Sequence, residues 1–184
     1  MKTTIRTSLR NNRNKLGSTK RLNYSTIISN KLLHELDKLT HVAIYMSYHN
    51  EVQTIKVIKE LLKNGVNLYL PKIISDEEMK FYRINNIKDL KENELGILEP
   101  INNTEAYIGN LDAIVVPLVG FDKDCNRLGQ GKGYYDRYLK MIKTKKIGLA
   151  YECQRVEKIE IEVHDIPLDL VITEAKIYHK NAKM

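Results

Sequence analysis

The chain has 184 residues, 42% of them hydrophobic and 29% charged, with a net charge of +7. That length suits one domain and is enough to bury a core without disulfide or metal staples. No apolar run reaches the roughly 18 residues that suggest a membrane span. The only cysteines, Cys125 and Cys153, supply neither a disulfide framework nor a zinc ligand set, which favours an intracellular, reducing compartment.

The positive charge is concentrated at the start. Residues 1–34 hold eight Lys/Arg and no Asp/Glu, which leaves 22 basic against 23 acidic side chains in the remainder. A transit peptide, a nucleic-acid arm and a helix offering cations to an anionic ligand all share that composition. At about 100° per residue, Lys2, Arg6, Arg10 and Arg13 fall within an arc of roughly 80°. Ile5, Leu9 and Leu16 form an adjoining apolar stripe. This pattern predicts a helix docked on a body with cations along one border. Aromatic interleaving and known nucleic-acid motifs are missing.

A second helix is expected over about 20–38, where Ile27, Ile28, Leu32, Leu33, Leu36 and Leu39 follow a helical period. HVAIYMSY (41–48) reads as a strand, and Asn50 as the cap of a following helix with Glu51 in its first turn. Asn64-Gly65 ends that helix. Strands follow at 67–73 and 79–84, while 85–110 is polar and poorly patterned. DAIVVPLVGF (112–121) reads as a buried central strand. A helix over 134–143, a strand over 145–151 and one or two strands over 168–179 complete the chain. The alternation predicts an α/β fold with a mostly parallel sheet in a single domain, 1–184. Ligands of such sheets gather beyond the carboxyl ends of the strands.

The stretch RLGQGKGYYD (127–136) stands in that place. It is not a Walker A loop, because Gly133 follows Lys132 where a hydroxyl is required, nor a G-x-G-x-x-G dinucleotide loop. Its chemistry still suits phosphate. Gly129, Gly131 and Gly133 let the backbone approach an anion, and the next helix adds the positive end of its dipole. Arg127 and Lys132 bring fixed charge, and Asp136 is a carboxylate that could hold Mg²⁺ beside phosphates.

VPLVGFDKDCNRLGQGKGYYDRYL closely resembles the signature of the 5-formyltetrahydrofolate cyclo-ligase, or 5,10-methenyltetrahydrofolate synthetase, family. Further blocks resemble it in order: Lys2 and Arg6 as K-x-x-x-R, SYHNEVQT with NGVNLYLPKI, GILEP, AYECQ and HDIPLDLVITE. The resemblance implies a three-layer α/β/α sandwich. The implied activity is ATP- and Mg²⁺-dependent closure of 5-formyltetrahydrofolate, with or without a polyglutamate tail, to 5,10-methenyltetrahydrofolate. By the same resemblance, Lys2, Thr3, Thr4, Ile5 and Arg6 would contact ATP together with Arg127, Leu128, Gly129, Gln130, Gly131, Lys132, Gly133, Tyr134 and Tyr135. Lys132 and Arg127 would be catalytic, neutralising charge during transfer. Met46, Glu51 and Gln130–Tyr134 would border the folate, and Asp136 and Asp169 would hold Mg²⁺. A cytoplasmic monomer with no nucleic-acid or membrane partner is expected.

Overall fold

The computed structural model describes residues 2–101, 106–107 and 109–181. Helices α1 (Lys2–Asn14) and α2 (Ser18–Glu35) lead into strand β1 (His41–Ile44), helix α3 (Ile55–Lys63) and strands β2 (Asn67–Ile73) and β3 (Met79–Ile84). Two short strands, β4 (Leu90–Glu92) and β5 (Leu98–Pro100), pair within the polar stretch that sequence patterning left blank. Residues 102–105 and 108 of that stretch lie outside the described residues. Strand β6 (Ala113–Pro117), the small hairpin β7 (Gly120–Phe121) and β8 (Arg127–Leu128), and helix α4 (Tyr134–Lys140) follow. Strands β9 (Lys145–Leu149), β10 (Leu170–Ile172) and β11 (Ile177–His179) close the order.

Seven strands form one sheet in the order β11-β10-β9-β6-β1-β2-β3. The five inner strands are parallel and the two outer ones antiparallel. Side chains alternate across it as the pleat requires. Val42, Ile44, Leu68, Leu70, Val115 and Ile172 pack on one face with Ile28 and Leu32 of α2 and Ile58 and Leu61 of α3. Ala43, Tyr69, Ile114, Val116 and Val171 pack on the other with Leu139 of α4. This is the expected three-layer arrangement. Because inner strands are covered on both faces, HVAI and AIVV read as continuous apolar runs.

The chain steps from β1 to β2 in one direction, whereas β6, β9 and β10 lie on the other side of β1. The connections leaving β1 and β6 therefore part on opposite faces, opening a crevice at the carboxyl ends of those two strands. Helix α1 closes one side of it. Leu9 seats α1 against Val119, Leu128 and Ile159, with Ile5 and Val156 at the margin. Gly120 is needed there, since a Cβ at that position would meet Leu9 Cδ1 at 2.3 Å.

Helix α2 ends at Glu35 rather than about 38, α4 at Lys140 rather than 143 and β9 at Leu149 rather than 151, and three further boundaries differ from the sequence pattern for local reasons. The 41–48 strand stops at Ile44: the next carbonyl, on Tyr45, accepts from Thr54 Oγ1 at 2.9 Å. Helix α3 begins after Thr54, so Asn50 does not cap it and Glu51 is not in its first turn. The 112–121 run breaks after Pro117 and turns into the β7–β8 hairpin.

Candidate active site

The crevice is a cavity of about 960 Å³. Its walls come from α1, the β1–α3 connection, the glycine loop after β8, and an apolar side that includes Ile73, Met79, Leu95, Ile97 and Leu98.

The β1–α3 connection is shaped by its own polar groups. Thr54 Oγ1 accepts from Ser47 N at 3.0 Å, and Tyr45 Oη donates to the Val52 carbonyl at 2.9 Å. His49 takes a positive φ of 50°, and Glu51 folds back to accept from Tyr48 N at 3.1 Å. The result is a tight turn that holds the Glu51 carboxyl inward. Burial pushes that carboxyl's pKa up, opposed by the Tyr48 amide, the Arg13 charge and Gln130. Met46 is buried on the same wall.

In the glycine loop, Gly131 (φ +107°) and Gly133 (φ +71°) occupy the left-handed region, where a side chain would be strained. Gly129 does not. The loop is held from α1: Arg6 Nε donates to the Gly129 carbonyl at 2.9 Å, and Arg10 Nη2 to Gln130 Oε1 at 2.7 Å. Gln130 Nε2 then reaches Glu51 Oε1 at 3.3 Å. One side chain thus links the cationic helix, the glycine loop and the Glu51 carboxylate across the cavity.

Arg127 is buried, with Nη2 paired to Asp136 Oδ1 at 2.7 Å and its guanidinium 5.7 Å from the Tyr135 ring centre. Lys132 is exposed on the cavity rim. Tyr134 Oη donates to the Ser75 carbonyl at 3.0 Å, tying the β2–β3 turn to the loop. Lys2 meets Asp165 at 2.7 Å and Glu162 at 3.1 Å. Burial works against both charges of the tighter pair, yet their contact holds Asp165 below and Lys2 above its ordinary range.

Most of the expected positions converge. Lys2, Arg6, Met46, Glu51 and the run Arg127–Asp136 all line the cavity. Thr3 and Thr4 are exposed and off its wall, and Ile5 is used to seat α1. Leu128 touches the cavity, but its buried side chain packs with Leu9. Asp169 is not brought to the site. It precedes β10 at the amino edge of the sheet, where its Oδ2 accepts from Lys146 N at 2.7 Å. Asp112 serves the same purpose two strands away, accepting from the Thr40 and His41 amides. An Asp136–Asp169 ion site is therefore not formed, and no group of three or more His, Cys, Asp or Glu among the described residues is arranged for a metal. Asp136 alone still suits Mg²⁺, which usually takes one or two carboxylates and completes its shell with phosphate oxygens and water. Arg10, Arg13 and the apolar wall were not among the expected site residues. The spacing of the basic stripe, four residues to Arg10 and three more to Arg13, was the signal for both arginines.

The fold and the site together define a doubly wound α/β protein with a cation-lined glycine loop opening onto a deep ligand cavity. Residues 1–174 match the 5-formyltetrahydrofolate cyclo-ligase family. The 5-formyltetrahydrofolate cyclo-ligase of Haemophilus influenzae is 37% identical, covering 74% of this chain and 76% of that protein. The enzyme of that name from Mus musculus is 30% identical, covering 92% of each. The NMR structure of Aquifex aeolicus 5,10-methenyltetrahydrofolate synthetase superposes with a TM-score of 0.87 at 34% identity, covering 100% of this chain and 94% of that one. The 5,10-methenyltetrahydrofolate synthetase of Mycoplasma pneumoniae gives 0.77 at 31% identity, covering 94% and 98%. The chain belongs to the 5-formyltetrahydrofolate cyclo-ligase family and is a ligase enzyme.

Proposed function

We propose that the enzyme converts 5-formyltetrahydrofolate to 5,10-methenyltetrahydrofolate at the expense of ATP, within a single cytoplasmic, monomeric domain spanning 1–184. The observation that carries this reading is the bridge through Gln130. It places the cationic loop and the Glu51 pocket in one cavity, and the reaction needs a phosphate donor and a formyl group to meet.

Ring closure requires N10 to attack the N5-formyl carbon and expel its oxygen, which is a poor leaving group. The formyl oxygen first attacks the γ-phosphorus of ATP, and ADP departs. N10 then attacks the activated carbon, and the C–O bond breaks to release phosphate as N10 loses its proton. The protein's task is positioning and charge stabilisation. Lys132, free to move on the rim, follows the charge that develops on the transferred phosphoryl group, while Arg127 is held rigidly by Asp136 and fixes the loop. Arg6 and Arg10 keep loop carbonyls turned away from the phosphates. Glu51 takes donors of the pterin, and the Met46 and tyrosine side chains give its flat ring apolar contact. Mg²⁺ at Asp136, when bound with ATP, would neutralise phosphate charge.

The test is a spectrum. Folinate and MgATP with purified enzyme should develop the near-ultraviolet band of the methenyl product, and omission of ATP or Mg²⁺ should abolish it. A folded, ATP-binding protein that gives no band with folinate would redirect the search to another acceptor of the phosphoryl group. Lys2, Arg6 and Arg10 of α1 are engaged with the body of the protein and Arg13 is buried, which supports the expectation that neither nucleic acid nor a membrane is a partner. No helix among the described residues is long and apolar enough to cross a membrane.

A further inference from the structure

Arg13 is a charged part of the cavity wall to which the proposed reaction gives no role. It sits in the last turn of α1, is only 7% exposed, and lines the cavity with Tyr45, Asn50 and Glu51. Its Nε and Nη1 are buried without a hydrogen-bond partner among the described residues. Arg6 and Arg10, on the same face, both donate to the glycine loop. An ion with idle donors in the interior is costly to a fold, and among the described residues only the field of nearby Glu51 works against that cost. Beside it, Glu51 accepts one bond on each oxygen, from Tyr48 N and Gln130 Nε2, and each oxygen keeps a free lone pair. Arg13 and Glu51 act on each other electrostatically, yet no ion pair among the described residues joins them. The inner wall therefore offers spare donors next to spare acceptors.

That pattern is the complement of a lactam edge. In a pterin, N3–H and the 2-amino group are adjacent donors, and the C4 carbonyl beside them is an acceptor. Resting on the folate reading above, we propose that Arg13 is a specificity-determining residue that receives the C4 carbonyl while Glu51 takes the neighbouring donors. The site would then select 4-oxo over 4-amino pteridines. In a 4-amino ring the acceptor becomes a donor, which would face a buried guanidinium. A charged glutamate tail is the wrong partner for so deep a cation, because its carboxylates would have to leave solvent.

Binding to the full chain should be measured by titration for wild type, Arg13→Met and Arg13→Gln. The ligands are 5-formyltetrahydrofolate, its 4-amino counterpart and 5-formyltetrahydropteroate, with ATP as control. The wild type should prefer the 4-oxo ligand, and either substitution should shrink that preference by about 10- to 150-fold, the range of a hydrogen bond to a charged group. Pteroate affinity should fall by the same factor, and unliganded Arg13→Met should melt no lower than wild type. An unchanged 4-oxo to 4-amino ratio overturns the proposal, more so if Arg13→Met also melts lower, which makes the arginine structural. A penalty that vanishes with pteroate overturns it in favour of the tail. A wild type that binds ATP but no pteridine overturns the folate reading itself.

Discussion

Lys132 and Arg127 share a loop but differ in what holds them. Lys132 is exposed on the cavity rim, so Lys132→Ala should leave urea stability within about 0.5 kcal/mol of wild type. Turnover should fall by about 100-fold or more, the usual scale for one charge-stabilising donor. Arg127→Ala should instead strand Asp136 beside a buried hole and cost about 3–5 kcal/mol, visible in the same urea titration. Glu51 sets a pH limit. Its folded pKa is raised above 4.5, chiefly by burial. The ionised carboxylate therefore weighs against the unliganded fold at neutral pH, and that cost fades as pH falls through the raised value towards 4.5. Folinate, which would need the carboxylate as acceptor, should lose affinity over the same interval, and Glu51→Gln should flatten the profile. At this scale the motif was legible because glycine, cation and carboxylate stand close together in sequence. Arg13 was visible only as one of four cations on a stripe, since its burial depends on residues such as Tyr45 and Asn50 far along the chain. Asp169 illustrates the opposite limit: an aspartate before a strand marks either the site or the far edge of the sheet, and only the direction of β10 decides which.

Elements with a full period were readable from the chain, and elements defined by their partners were not. Helix α2 and strands β2 and β3 follow their patterns because each buries a face of its own. The β1–α3 turn escaped prediction because Thr54, a residue that could simply cap α3, spends its hydroxyl on Tyr45 and Ser47 instead. The β7–β8 hairpin was hidden inside an apolar run that continues past Pro117 without change of composition. The docking of α1 rests on a space that only glycine leaves. Gly120→Ala should therefore cost about 1–3 kcal/mol, the scale of overpacking. A double variant with Leu9→Ala should lose less than the sum of the two single changes, which a cycle of urea titrations would measure.

Across the whole molecule, the cavity joins α1, the β1 side of the sheet and the β6 side, so a ligand filling it binds the folded state alone. ATP with Mg²⁺ at about 100 times its dissociation constant should add about 2.7 kcal/mol, or roughly 5–11 °C in melting temperature. The clasp between Lys2 and Asp165 adds a pH-dependent share. Asp165 has a depressed folded pKa, so its contribution is present above about pH 3.9 and is lost as pH falls through the folded value. Asp165→Asn should be about 1 kcal/mol less stable at pH 7, with the difference closing in acid.

The same clasp spans 163 positions of chain. At synthesis rates of about 5–20 residues per second, α1 emerges roughly 8 to 33 s before the loop that receives Lys2. A helix made early is thus among the last to find its seat, and during that interval its acid-free face travels uncovered in the company of the ribosome's own anionic RNA.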